Sequence, residues 1–140
     1  MSEREKLTAL RVWTSSGLLC ATVMGPVGTP NGYVRVPDEH SWSGLDYDQC
    51  FQSPPCGREW CGHTPENAID VHGGVTYASR LNDIVDLPDA DADGWWFGWD
   101  TQHLGDWMPS PYGSSEGRKW SVDDVAAETE RMASQLAGAA

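Results

Sequence analysis

Apolar and polar residues alternate along several short stretches of the chain, and this pattern predicts β-strands. The clearest early stretches are residues 7–14, 18–24 and 33–36, where Val, Trp and Tyr lie between turn-forming residues. Ser15, Ser16 and Gly17 separate the first two stretches, so a hairpin is predicted there.

Two later stretches, residues 69–78 and 95–101, alternate in the same way. Their polar faces carry His72 and Thr76 in the first stretch and Trp96 and Asp100 in the second. If the opposite, apolar faces share a core, neighbouring strands bring Asp100 close to His72.

A C-terminal helix is predicted over residues 120–137. Ser121 can cap it, with Asp124 three residues later completing a capping box and Trp120 packing against Val125 as a hydrophobic staple. Apolar residues then recur at helical spacing. We expect a single α+β domain over residues 1–140: a small, mainly antiparallel sheet with one C-terminal helix packed on it and long irregular loops.

The long segment 38–67 shows little periodicity and contains three of the four cysteines, while the acidic segment 82–94 is predicted to be a loop. A structural zinc ion would explain how the first segment stays ordered, and its candidate ligands are Cys50, Cys56, Cys61 and His63. The spacing lacks the paired Cys-x2-Cys of standard zinc sites, so unligated thiols are the alternative.

Charge and composition restrict the partners that we expect. The formal net charge is -12, from 21 acidic and 9 basic residues without a Lys or Arg cluster, which argues against duplex nucleic acid and anionic membranes as partners. The charged N-terminal residues are followed by no apolar run of membrane-spanning length, so a cytoplasmic location is expected.

Leu, Ile and Val are sparse, so the 8 tryptophans must supply much of the core.

The two alternating stretches and the residues after them suggest a ligand-binding site. We expect it to bind a small polar or nucleotide-like ligand through His and Asp side chains, with Trp96 stacking and paired glycines allowing a close approach. Its candidate residues are His72, Gly73, Gly74, Thr76, Trp96, Asp100, His103 and Asp106.

Two other hypotheses use the same residues. A metal-dependent hydrolase could hold zinc, manganese or iron with His72, Asp100, His103 and Asp106, because these ions accept mixed nitrogen and oxygen ligands and can activate water. In the other, the carboxylates only cap turns and the protein has a structural or partner-binding role without a small-molecule site. The residues leave open whether any reaction is catalysed.

Several motifs taken together resemble an uncharacterised family of small proteins of tailed bacteriophages and some bacterial genomes. Its patterns HGGxTY and GxDxxHxGD match residues 72–77 and 98–106, accompanied by the Gly-Tyr-Val of residues 32–34, by His40 and by the C-terminal helix. The resemblance implies a phage origin and the host cytoplasm as location. We expect the partner to be a small polar or nucleotide-like ligand or a host protein. It also implies that the polar residues of the two stretches form one site.

Overall fold

An antiparallel sheet with a helix on one face is the core of the computed structural model, which describes residues 7–26, 28–52, 62–80, 85–87, 93–103, 106–108 and 117–139. Within these ranges the sheet has the strand order β4-β6-β3-β2-β1-β5. All neighbouring pairs are antiparallel except β1 and β5, which pair in parallel. The strands are β1 (Leu7–Ser15), β2 (Leu18–Met24), β3 (Pro30–Val36), β4 (Tyr77–Ser79), β5 (Val85–Asp86) and β6 (Trp95–Trp99), and the helices are α1 (Pro65–Ala68) and α2 (Val122–Gly138).

This architecture confirms the predicted α+β class with a C-terminal helix on a mainly antiparallel sheet. The hairpin between β1 and β2 turns at Ser16 and Gly17, both of which have positive φ, as tight hairpin turns require. β3 begins three residues earlier than predicted, because Asn31 and Gly32 pair with β2. β5 lies in the segment that the sequence predicts to be a loop.

Helix α2 begins as its sequence predicts. The Ser121 side chain accepts a hydrogen bond from the Asp124 N–H, and the Asp124 carboxylate accepts one from the Ser121 N–H. At the other end His40 is buried, and its Nε2 lies 2.9 Å from the Leu136 carbonyl while its Nδ1 accepts the Trp42 N–H at 3.0 Å. These partners require Nε2–H on an uncharged ring, so His40 caps the helix C-terminus.

Close contact between α2 and β3 depends on Gly32. The Trp99 indole N–H donates to the Thr129 hydroxyl at 3.0 Å, and that hydroxyl donates to the Val125 carbonyl at 2.7 Å. A Cβ atom at Gly32 would lie 2.0 Å from the Thr129 oxygen and 2.3 Å from the Trp99 nitrogen. The missing side chain is therefore what lets the helix lie directly on the sheet.

The main core lies between the sheet and α2. It contains Val34, Val36, Phe97, Trp99, Trp120, Val125, Met132 and Leu136 among its buried residues. Cys20 belongs to the same core and is fully buried, and this burial, reinforced by the negative charge of Glu130, raises the pKa of its thiol to about 12. A smaller core covers the opposite face of the sheet, with Ala21, Val23, Tyr33, Leu87 and Trp96.

Aromatic packing anchors the described part of the long segment 38–67. The rings of Trp42 and Phe51 stack with centroids 4.9 Å apart, and Trp42 belongs to the main core. The Trp95 indole N–H donates to the Leu45 carbonyl at 2.9 Å. Burial of large rings thus ties this irregular backbone to the sheet.

Residues 69–76 do not form the strand that alternation predicts. His72 and Gly73 lie in a turn closed by a 2.8 Å hydrogen bond from the Gly74 N–H to the Val71 carbonyl. The preceding backbone is bonded to α2, since the Asp70 N–H donates to Gln135 and the His72 N–H donates to Glu128. The positive φ angles of Gly73 and Gly74 end the extended chain there, although Ile69, Val71 and Val75 are buried as predicted.

Within the described ranges, no helix combines the length and the apolar character needed to cross a membrane.

The Gly32→Ala variant tests whether the helix needs this close approach. We expect it to lower the free energy of unfolding by about 2–3 kcal/mol, because an added methyl group in a packed interface forces the helix and Trp99 apart. Gly138→Ala is the control, since a Cβ there meets nothing within 4 Å and should leave stability unchanged or slightly raised. Urea unfolding measures both, and equal effects would contradict the proposed role of Gly32.

Candidate functional site

A buried carboxylate, Asp106, is the centre of the site. Its two oxygens lie 3.0 and 2.9 Å from His72 Nε2, and they also accept the Trp120 indole N–H and the His103 main-chain N–H, each at 3.0 Å. Burial by itself raises the pKa of the Asp106 carboxyl, but the hydrogen bonds from these donors outweigh it and hold the pKa below the ordinary aspartate value. Asp106 therefore stays ionised and fixes the His72 ring.

A second carboxylate, Asp100, follows β6 directly and joins the other predicted residues. It accepts the Thr76 hydroxyl at 2.8 Å and the Gln102 N–H at 2.9 Å. His103 Nε2 lies 3.3 Å from the same carboxylate, and the rings of His72 and His103 are 5.4 Å apart between centroids. His72 thus lies in one cluster with Asp100, His103 and Asp106, which come about thirty residues later in the chain.

Gly73 makes room for a side chain of the site itself. A Cβ atom at Gly73 would lie 2.1 Å from His103 Nε2, whereas at Gly74 the nearest atom would be 3.9 Å away. The close approach that paired glycines predicted is therefore made at Gly73 by an imidazole ring. Gly74 serves the turn through its backbone conformation alone.

The prediction that Trp96 stacks on a ligand is wrong. Its side chain is 0% exposed and belongs to the smaller core, where it packs among residues such as Ala21 and Tyr33. Alternation correctly puts Trp96 on the face of β6 opposite to Phe97, but that face is covered at this point of the sheet. A ring without exposed surface cannot receive a planar ligand.

The predicted zinc ligands are only partly described. Cys56 and Cys61 lie outside the described residues. The backbone beside Cys50 is close to His63, because the Phe51 N–H donates to the His63 carbonyl at 2.8 Å. In the part of the chain that the structure describes, no three His, Cys, Asp or Glu residues are grouped as metal ligands. The zinc site at Cys50, Cys56, Cys61 and His63 stays a prediction.

An open cavity of about 580 Å³, called here the polar cavity, lies between the His72 turn and α2. Its lining includes a guanidinium, that of Arg118, whose central carbon lies 3.6 Å from the centre of the Trp120 ring. The other guanidinium, Arg131, bonds to Glu128 and, at 3.0 Å, to Asp70. The lining residues are Asp70, Val71, His72, Gly73, Arg118, Trp120, Asp124, Ala127, Glu128 and Arg131.

Sequence reasoning missed the half of this cavity that α2 and the residues before it supply. Asp124, Glu128 and Arg131 follow each other at four- and three-residue spacing, which places them on one side of a helix. This polar stripe is the signal in the sequence that points to the cavity, whereas the apolar stripe predicts only which side of the helix faces the sheet. The sequence predicts for Trp120 only a hydrophobic contact at the start of the helix, but its indole N–H also bonds to Asp106.

Comparison with protein families, with curated proteins and with solved structures gives no match to this chain. The resemblance to tailed-phage proteins therefore stays a prediction from the motifs. The function of the site has to be inferred from its own distances, burial and charges.

The Asp106→Asn variant tests the central carboxylate. At pH 7 we expect the free energy of unfolding to fall by about 1–3 kcal/mol, because a neutral amide replaces a charged acceptor of buried donors. The lowered folded-state pKa means that the stabilisation is complete above the unfolded pKa of about 3.9 and is lost as the pH falls through the folded-state pKa.

The difference in stability between wild type and Asp106→Asn should thus narrow in acid, as measured by thermal unfolding at a series of pH values. Asp93→Asn is the control. It changes an exposed carboxylate paired with Arg80 and should leave the free energy of unfolding nearly unchanged at every pH. A difference that stays constant down to the acid range would contradict the role of Asp106 charge.

Gly73→Ala and Gly74→Ala form a matched pair, because both glycines have positive φ, of 70° and 81°. In each variant the strained backbone should lower the free energy of unfolding by about 1 kcal/mol. In Gly73→Ala the free energy of unfolding should fall by about 1–3 kcal/mol more, because the added methyl group collides with the His103 ring. Chemical unfolding gives the two energies, and equal losses would show that the imidazole contact does not matter.

Proposed function

We propose that the polar cavity binds a small polar ligand that carries a single anionic group, such as a carboxylate or a nucleotide-like phosphate. The observation that carries this proposal is that His72, oriented by buried Asp106, and Arg118, held over Trp120, line the same cavity of about 580 Å³. This volume is within the range of ligand pockets in proteins, about 300–1,000 Å³.

Arg118 is the reason to expect an anionic group on the ligand. Among the described residues no carboxylate pairs with it, in contrast to Arg131, which is engaged by Glu128 and Asp70. A guanidinium can donate two parallel hydrogen bonds to a carboxylate or phosphate. Its position over the indole reduces the conformational entropy that ligand binding would otherwise cost.

His72 can form a second polar contact with the ligand. Its Nε2 is engaged by Asp106, and its side chain keeps 29% of its surface exposed. In a neutral imidazole with Nε2–H, the remaining nitrogen is an acceptor, and in the charged ring it is a donor. The neutral ring can therefore accept a hydrogen bond from a ligand hydroxyl, and the charged ring can donate one to a phosphate oxygen.

The acidic lining limits the charge of the ligand. Asp70, Asp124 and Glu128 are in the same cavity, and the whole chain has a net charge of -12. A ligand with several anionic groups would be repelled, whereas a ligand with one carboxylate or phosphate and with hydroxyl or amine groups would find acceptors for those groups. On the strength of the motif resemblance alone, we further infer a phage-type protein that acts in the host cytoplasm.

The hydrolase hypothesis has less support than ligand binding. Both oxygens of Asp106 accept N–H groups, and three donors converge on them. Among the described residues, which include His72, Asp100, His103 and Asp106, no three such side chains are grouped so that they could hold a metal ion. The structural or partner-binding hypothesis has no specific observation in its favour and is an outcome of the experiment below.

Isothermal titration calorimetry with nucleoside monophosphates, inorganic phosphate and small hydroxy acids tests the proposal. We expect at least one of these anions to bind, and His72→Gln and Arg118→Gln to weaken it by about tenfold each, since each removes one charge-assisted or oriented hydrogen bond. Arg11→Gln is the control, because Arg11 pairs with exposed Asp123 and does not line the cavity.

Two results would contradict the proposal. One is the absence of binding by every anion tested while the wild type is folded, which would favour a structural or partner-binding role. The other is stoichiometric metal in the purified protein that is lost in both His72→Ala and His103→Ala, which would favour the hydrolase.

A further inference from the structure

We propose that a second cavity, of about 200 Å³, binds a small apolar carboxylic acid, with Lys119 as the partner of the carboxylate. This cavity, called here the apolar cavity, shares Trp120 with the polar cavity but is otherwise lined by different residues. The residues that carry the proposal are Met24, Pro30, Trp107, Lys119, Trp120 and Val122.

Two chain segments form one side of the apolar cavity. The Trp107 N–H donates to the Arg118 carbonyl at 2.7 Å, so residues 106–108 run beside residues 117–120. Gly117 permits this contact, because a Cβ there would lie 2.3 Å from the carbonyl carbon of Asp106. Trp107 and Lys119 are thereby held together at the cavity, with Lys119 Nζ 4.5 Å from the centre of the Trp107 ring.

Three further apolar side chains, from the strands and the helix, line this cavity together with the small residues Gly28, Thr29, Thr101 and Ser121. Met24 ends β2, Pro30 begins β3 and Val122 is the first residue of α2. Together with the two indoles these side chains favour an apolar body, for which burial of surface supplies the binding energy. The volume is below the usual range for drug-sized ligands, so the ligand must be a small ring or a short branched chain.

Lys119 determines the charge of the ligand. Among the described residues no carboxylate pairs with its ammonium group, and no other charged side chain lines this cavity. An amine would be repelled, because the aromatic surface of Trp107 already holds one cation. A carboxylate at the mouth of an apolar cavity would instead pair with Lys119, so benzoate is a suitable probe.

The experiment compares benzoate with the neutral analogue benzyl alcohol, followed by the indole N–H signals of Trp107 and Trp120 in ¹H–¹⁵N spectra. We expect benzoate to shift these signals and to bind about tenfold more tightly than benzyl alcohol, because only benzoate forms the charged contact. Lys119→Gln should remove this preference, Lys119→Arg should retain it, and Arg80→Gln should leave it unchanged, since Arg80 pairs with Asp93.

A second variant identifies the cavity. Val122→Phe should fill it and abolish benzoate binding while thermal unfolding shows that the protein is folded. Equal affinity of benzoate and benzyl alcohol, an unchanged preference in Lys119→Gln, or no shift of either indole signal with benzoate would overturn the proposal. Because Lys119 and Val122 do not line the polar cavity, failure here leaves the function proposed for that cavity untouched.

Discussion

The hydrogen bonds that converge on Asp106 hold together three parts of the chain that lie outside the strands of the sheet. One donor comes from the turn after the irregular segment, one from the loop after β6 and one from the indole just before α2. A buried carboxylate costs free energy unless donors surround it, so each of these segments is constrained by the other two. The position of the His72 ring, and with it the polar cavity, depends on this single group.

The indole of Trp120 links this constraint to both cavities. It donates to Asp106, supports the guanidinium of Arg118 and contributes to both cavity linings. A ligand that moved this ring would also change the hydrogen bonding that orients His72. In an acidic chain, the neighbouring cations Arg118 and Lys119 thus lie where two pockets of different polarity meet.

Those parts of the fold that rest on local signals could be predicted from the sequence. The β1–β2 hairpin follows from its turn residues, and α2 follows from the capping box of Ser121 and Asp124. The clustering of His72, Asp100, His103 and Asp106 was expected from shared strand faces. Their proximity is achieved differently, because His72 lies in a turn and not in a strand.

What could not be predicted depends on tertiary contacts. Alternation puts Trp96 on a polar face, but nothing local reveals that a second core covers that face. The backbone donors of Asp70 and His72 are satisfied by side chains of α2, more than fifty residues away, in place of a strand partner. The polar stripe of α2 was visible in the sequence, but its partner surface was not.

The burial of Cys20 has a chemical consequence. Because burial raises the pKa of its thiol to about 12, the reactive thiolate is rare at neutral pH, and the Cys20 side chain has no exposed surface. Alkylating agents and oxidants can reach it only after the helix has left the sheet. The rate at which Cys20 is modified therefore reports how often this core opens, and a ligand that binds only the folded protein would slow it.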